Sequence, residues 1–168
     1  AVLKKIEATT KKMVELAQSV ETLFVREIYK MNEIINAKGI DFRNYSTEEK
    51  WKADYTYVLD KMEKYGLNCI IFHVRTHNNA LYKSELNPVA SWFANVNFDE
   101  FDPLEWAIAE THKRGIEFHA WLNPYRISTT GGQTQYVSGS IPEANPVNDS
   151  SNLLQNGNSI ILNPGLQS

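Results

Sequence analysis

The sequence has a single cysteine, Cys69, among 168 residues, which excludes an internal disulfide framework and a multi-cysteine zinc site. It has no apolar run of about 18 residues, so it contains no transmembrane segment. It also has no basic excess, because 17 Lys and Arg stand against 20 Asp and Glu, for a net charge of −3. A protein that binds duplex DNA through a basic face is therefore not expected, and we predict no nucleic-acid partner. No signal peptide is recognisable.

The residues that are present suit a folded domain preceded by a helix. Hydrophobic residues make up 42% of the chain and charged residues 22%, which is typical of globular proteins. Residues 1–20 carry apolar side chains at helical spacing and predict an N-terminal amphipathic helix, separate from residues 21–168. Residues 22–30 are rich in β-branched and aromatic types, which predicts a short strand, with helical continuation as the alternative.

Two further helices are predicted from their end signals. Ser46, three residues before Glu49, forms a capping box, and Gly66 is placed to end the helix that it opens. Asp102 precedes a proline and an acidic residue, which is typical of a helix start, and Gly115 ends that helix.

Strands and loops alternate with these helices. Residues 68–75 and 116–122 are nearly continuous apolar runs, typical of strands covered on both faces of a parallel sheet. Residues 159–162 predict a short final strand, and residues 76–101 and 123–158 predict long loops. The long segments follow strands and the short turns follow helices. This asymmetry indicates an α/β fold, either a (β/α)8 barrel or a doubly wound sheet, with its site at the carboxyl ends of the strands.

Polar residues share one face of the two buried strands. Side chains alternate along a strand, so His73 and Arg75 share a face on the first strand, as do His119, Trp121 and Asn123 on the second. Charged and imidazole groups are costly to bury unless they are paired or hydrated. The pattern therefore predicts a binding site, and the alternative is a satisfied hydrogen-bond network that contacts no substrate.

Tyr125 and Arg126 follow the second strand and suit a sugar ligand. An aromatic ring packs on sugar C–H groups, while Arg and Asn side chains hydrogen-bond hydroxyls. The alternative is a pair that anchors the loop. Glycoside hydrolysis usually needs two carboxylates, and the strand ends offer none. Glu27, on the strand predicted at 22–30, is the carboxylate that would face inward.

Histidines raise a third possibility, a metal-dependent hydrolase that uses His73, His77 and His119. No carboxylate clusters with them along the sequence, and we predict no metal and no cofactor.

Several strings resemble a known family: HVR (73–75), ALY (80–82), YKS (82–84), FDPLEWAI (101–108), HKRG (112–115), HAWLNPYR (119–126) and LNPG (162–165). They resemble the bacterial glycosyl-hydrolase-like (β/α)8 barrels that include peptidoglycan glycosidases and cell-envelope lipoproteins. The resemblance implies that residues 21–168 are the N-terminal half of a TIM barrel. It implies a glycoside hydrolase for a cell-wall or related polysaccharide, located outside the cell or in its envelope.

The resemblance also implies which residues contact the polysaccharide substrate. They are His73, Arg75, Asn79, His119, Trp121, Asn123, Tyr125, Arg126 and Asn163. The family has Gly-Asp before Ala-Leu-Tyr, where this chain has Asn78-Asn79, so an expected acid is an amide. The family continues to paired aspartates, so we expect the catalytic carboxylates beyond Ser168. A non-catalytic carbohydrate-binding or scaffold module is the alternative, and the open sheet edges of a half-barrel would favour self-association.

Overall fold

The computed structural model describes residues 9–16, 38, 40, 45, 47–128 and 139–166. The chain divides into two compact units, residues 1–40 and residues 41–168. In the first unit, residues 9–16 form helix α1, which lies within the helix predicted at 1–20. The strand predicted at 22–30 and the candidate Glu27 lie outside the described residues. The predicted division at residue 20 stays a prediction.

Helix α2 (Glu48–Lys64) begins one residue later than the capping box predicts. Its N-cap is Thr47, whose Oγ1 accepts a hydrogen bond from the backbone N of Lys50 at 3.2 Å. Acidic side chains in the first turn and lysines in the last turn complement the helix dipole. The helix ends as predicted, because Gly66 adopts a φ of 68° that few other residues tolerate.

Helix α3 (Pro103–Lys113) has the predicted cap. Asp102 Oδ1 accepts hydrogen bonds from the backbone N of Leu104 at 2.9 Å and of Glu105 at 3.1 Å. These bonds satisfy two of the donors that every helix leaves unpaired at its start. The local sequence therefore specifies where this helix begins.

Strands β1 (Cys69–Arg75) and β2 (Glu117–Leu122) form the predicted parallel pair. Cys69 pairs with Glu117, and His73 pairs with Trp121. The register shifts between His73 and Arg75, and Arg75 pairs with Leu122. The chain passes from β1 through α3 to β2, as parallel neighbours require a crossover connection.

An aromatic core joins β1 to helices α2 and α3. The Trp51 and Tyr55 rings of α2 stack with centroids 4.9 Å apart, and Phe72 of β1 meets both edge-on. Trp106 of α3 packs against the same two rings. The Tyr55 hydroxyl lies 2.9 Å from Thr111 Oγ1, and burial raises the pKa of Tyr55 to about 12. The apolar face of β1 thus meets the helices, as the alternation of side chains predicts.

A second sheet corrects two of the predictions. Strands β3 (Arg126–Ser128), β4 (Leu153–Asn156) and β5 (Ser159–Leu162) form an antiparallel sheet in the order β3–β5–β4. Residues 123–158 are therefore not one long loop, and residues 159–162 do not join the parallel pair. The physical reason is the turn at Gly157, whose φ of 58° reverses the chain and pairs β5 with β4.

Short 3-10 helices complete the described part: Ser91–Phe93, Pro146–Asn148 and Ser150–Asn152. The predicted α/β class is confirmed as a mixed α/β structure with one small parallel and one small antiparallel sheet. Among the residues described, no helix is both long and apolar enough to cross a membrane.

Candidate functional site

Four predicted site residues meet at the carboxyl ends of β1 and β2. We call His73, Arg75, Trp121 and Asn123 the strand-end cluster. His73 and Trp121 are register partners, and their rings stack with centroids 4.6 Å apart and planes 19° apart. Strand alternation and register place His73 and Trp121 on one face of the pair, as predicted. Arg75 follows a register shift and pairs with Leu122, and His119 pairs with Ile71 outside the cluster.

Asn123 sets the hydrogen-bonding state of His73. Its amide nitrogen lies 2.9 Å from His73 Nε2 and 3.0 Å from the carbonyl oxygen of Thr76. The contact with a carbonyl requires the amide NH2 group at this position, because an amide oxygen cannot donate. His73 Nε2 is therefore the acceptor, and the neutral ring carries its proton on Nδ1.

Charge and burial favour the same neutral form. Burial lowers the pKa of His73, and the positive charge of Arg126 lowers that pKa further. Arg126, the first residue of β3, is exposed yet close enough to act on this ring electrostatically. A neutral histidine beside an exposed guanidinium can accept a hydrogen bond or orient a polar ligand.

Arg75 is buried, with only 7% of its surface exposed. Its Nε donates to Asn87 Oδ1 at 3.1 Å and its Nη2 donates to Asn78 Oδ1 at 3.2 Å. Its Nη1 donates to the backbone oxygen of Asn123. Burial lowers the pKa of this guanidinium. The geometry is that of a positioning residue, which ties the strand ends to the loop that follows β1.

Asn145 is a site residue that the sequence analysis missed. Its side chain and that of Asn78 exchange two hydrogen bonds of 3.1 and 3.2 Å, and Asn145 Nδ2 also donates to the Leu86 carbonyl at 2.7 Å. Asn145 is 2% exposed. The dipeptide Asn145-Pro146 is a turn signal, but it does not reveal the distant partner. Asn78 and Asn145 thus connect two loops beneath Arg75.

Asn79 is fully buried. Its Oδ1 accepts hydrogen bonds from the His77 backbone N and from Thr76 Oγ1, both at 3.1 Å. These bonds shape the loop after β1. The amide in place of the family's acid therefore stabilises the loop, and its predicted sugar contact stays a prediction.

Three other predicted binding residues, Tyr125, Arg126 and Asn163, follow β2 and β5, the strands that precede them in the chain. Tyr125 and Arg126 are exposed after β2, and the Leu162 backbone N donates to the Tyr125 carbonyl at 2.8 Å. This bond brings the turn at Asn163 beside Tyr125. Asn163 Oδ1 accepts from the Gly165 backbone N at 3.0 Å and so forms that turn.

The three histidines of the metal-dependent alternative, His73, His77 and His119, do not come together. In the described part of the chain, a different group brings three potential metal ligands close together: Cys69, Glu117 and His119. Strand register explains the difference, because the partner of His119 is Ile71 and not His73. His119 is exposed, and its Nε2 lies 3.2 Å from Glu117 Oε2.

Comparison with known proteins confirms the predicted resemblance. The model of the family described as Glycosyl hydrolase-like 10 matches residues 32–167. Glycosyl hydrolase YngK of Bacillus subtilis is 36% identical over 97 residues, which are 56% of this chain and 19% of that protein. Glycosyl hydrolase DigH of Escherichia coli K12 is 30% identical over 115 residues, which are 64% of this chain and 26% of that protein. The chain thus spans about a fifth to a quarter of the length of these relatives. Because the family model covers most of the chain, this protein belongs to the glycosyl hydrolase-like 10 family.

Proposed function

We propose that this chain supplies part of the substrate-binding surface of a glycoside hydrolase that acts on a cell-wall or related polysaccharide. Family membership supports a glycoside hydrolase-related function. The observation that carries the proposal is a pair of exposed aromatic side chains and an exposed guanidinium at and just after the carboxyl ends of two parallel strands. Sites of α/β proteins occupy this position.

The aromatic surface is made by Trp121, which is 53% exposed, and Tyr125, which is 51% exposed. Large aromatic side chains held partly in water are suited to pack on the C–H faces of sugar rings. The guanidinium of Arg126 supplies donors for hydroxyl groups, and Asn123, whose NH2 group is engaged with His73 and Thr76, offers its amide oxygen as an acceptor. Stacking of Trp121 on His73 limits the freedom of the indole and prepares it for a ligand.

We further propose that β1 and β2 belong to a (β/α)8 barrel, with the strand-end cluster on the inner face. The parallel β–α–β connection supports this arrangement. Ile71 supports it too, because this apolar residue is 67% exposed on that face and a barrel interior would cover it. The remaining strand edges would pair with other strands, of the same protein or of a second copy. The family resemblance supports a location outside the cell or in its envelope.

Arg126→Ala in the full-length protein tests the sugar-binding proposal. We expect glycan binding to weaken by roughly 1–3 kcal/mol, because ligand hydroxyls lose their partner. We expect no change in melting temperature, since Arg126 is an exposed residue at a strand end and its backbone pairing does not need the side chain, so the substitution alters stability by about 0.5 kcal/mol or less. Calorimetric titration with soluble glycan strands and a thermal melt measure the two quantities. Lys113→Ala, which removes an exposed cation from α3, is the matched control.

The opposite pattern would contradict the proposal. If Arg126 anchors its loop, Arg126→Ala lowers the melting temperature and leaves glycan binding unchanged. If the glycan binds neither the wild type nor Arg126→Ala, the surface does not recognise this polysaccharide.

A non-catalytic carbohydrate-binding module is the second candidate, and one observation favours it for this chain alone. Segments 71–79 and 118–128, which hold the strand ends, contain no Asp or Glu. The carboxylate pair that glycoside hydrolysis uses would have to come from elsewhere in the protein. We therefore expect the purified 168-residue chain to release no reducing sugar from a glycan. Measurable release would refute this expectation.

A further inference from the structure

Three potential metal ligands converge at the amino end of the parallel pair, the end opposite the strand-end cluster. Cys69 and Glu117 face each other as register partners, and His119 lies two residues after Glu117 on the same face. The Cys69 Sγ, a Glu117 carboxylate oxygen and a His119 ring nitrogen all lie within 4.8 Å of one another. We propose that these three side chains bind one divalent transition-metal ion of the zinc type.

The distances suit a tetrahedral ion after small side-chain rotations. His119 Nε2 lies 3.2 Å from Glu117 Oε2, and N and O ligands of one tetrahedral zinc are separated by about 3.3 Å. A sulfur ligand lies about 3.6 Å from either, so the distance from Cys69 Sγ to each of the other ligand atoms has to shorten by at most about 1.2 Å. All three side chains are exposed in this chain, so its own packing does not oppose that movement. In the proposed barrel they would lie on the inner face, at the end opposite the strand-end cluster.

The donor set selects the class of metal. A thiolate and an imidazole favour zinc, cobalt or copper, whereas calcium and magnesium prefer oxygen ligands. Metal binding would deprotonate the Cys69 thiol. Three protein ligands leave a fourth position for water or another donor. Because the ligands come from β1 and β2, the ion would hold the amino ends of the two strands together.

The rest of the chain offers little competition for such an ion. The sequence contains one cysteine and four histidines, all within the described residues. His73 is engaged with Asn123, and His112 is an exposed residue of α3. A metal complex with a thiolate ligand in this protein can therefore be assigned to Cys69.

Titration of the metal-free chain with Co²⁺ and then with Zn²⁺ tests the proposal. We expect one Co²⁺ per chain, a thiolate-to-cobalt charge-transfer band in the near ultraviolet, and loss of the band as Zn²⁺ displaces Co²⁺. Cys69→Ser should abolish the band and weaken Zn²⁺ binding at least tenfold. His119→Gln should weaken binding by a similar factor. His112→Gln, with the same chemical change outside the cluster, should bind like the wild type.

Circular dichroism and melting of the metal-free variants show whether each one folds, so that weaker binding is not confused with unfolding. The proposal is overturned if folded Cys69→Ser and His119→Gln bind Zn²⁺ as tightly as the wild type. It is also overturned if the wild type shows no thiolate band. In either case, the contact between His119 and Glu117 lies beside an ordinary cysteine.

Discussion

Arg75→Lys is expected to destabilise the protein by about 3 kcal/mol, although it preserves the charge. The guanidinium of Arg75 reaches three separate oxygens, on Asn87, Asn78 and the Asn123 backbone. A lysine ammonium is a compact donor on a flexible stem and cannot reach all three from one position. The substitution therefore leaves buried acceptors without a partner.

The magnitude follows from the number of bonds lost and the burial of their acceptors. Hydrogen bonds to a charged group contribute about 1.5–3 kcal/mol each, so the loss of two costs about 3–6 kcal/mol. Asn87 is only half-buried and can bind water instead, whereas Asn78 is 1% exposed. The lower end of the range, about 3 kcal/mol, is therefore expected.

Urea unfolding followed by tryptophan fluorescence measures this loss. Arg126→Lys, the same exchange at an exposed arginine, is the control, and we expect it to change stability by about 0.5 kcal/mol or less. A structural role for Arg75 is refuted if Arg75→Lys unfolds at the same urea concentration as the wild type and yet loses glycan binding. That result would make Arg75 a direct ligand contact, as the sequence analysis predicts, and not a positioning residue.

Four further predictions concern His73, Tyr55 and Trp121. Arg126→Gln should raise the pKa of His73, because it removes a nearby positive charge, and NMR titration of the imidazole measures the shift. The pKa of His73 in the folded protein lies below the unfolded value of 6.5, so below pH 6.5 the unfolded chain binds more protons than the folded one. The free energy of unfolding should therefore decrease as the pH falls below 6.5, and urea titrations at several pH values measure this decrease. Tyr55→Phe should lower the free energy of unfolding by about 1 kcal/mol. The double variant Tyr55→Phe/Thr111→Val should lose less stability than the two single variants together, and a double-mutant cycle measures this difference. Trp121→Ala should cost about 1–2 kcal/mol in urea unfolding, less than for a buried tryptophan, because the side chain is half exposed; a loss above 3 kcal/mol would contradict this.

The parallel pair and its helices could be predicted because their signals are local. The Asp102 cap, the glycine that follows each helix and the continuous apolar runs all lie within or beside the elements that they define. The antiparallel sheet could not be predicted in the same way. Strand β3 has three residues, and Arg126 pairs with Ile161, far along the chain. So short a segment shows no periodicity, and only long-range pairing makes it a strand.

The candidate site could likewise be predicted from the sequence only where its signals are local. Side-chain alternation places His73 and Trp121 on one face, and the parallel register brings them together. The burial of Arg75 depends on Asn78 and Asn145, whose pairing has no signal in either local segment. Sequence spacing also groups His119 with the wrong partners, because the register between strands decides which ligands meet.

The pairing of Asn78 with Asn145 has a consequence for the order of folding. These two residues are separated by 67 positions along the chain, so their contact requires a large loop to close. Helices α2 and α3 depend on nearby contacts and can form much earlier. The loops that carry Asn78 and Asn145 would therefore be arranged last during folding and would open first in local fluctuations of the native protein. Amide hydrogen exchange at Val147, whose backbone N donates to Asn145 Oδ1, would report such opening separately from exchange in the helices.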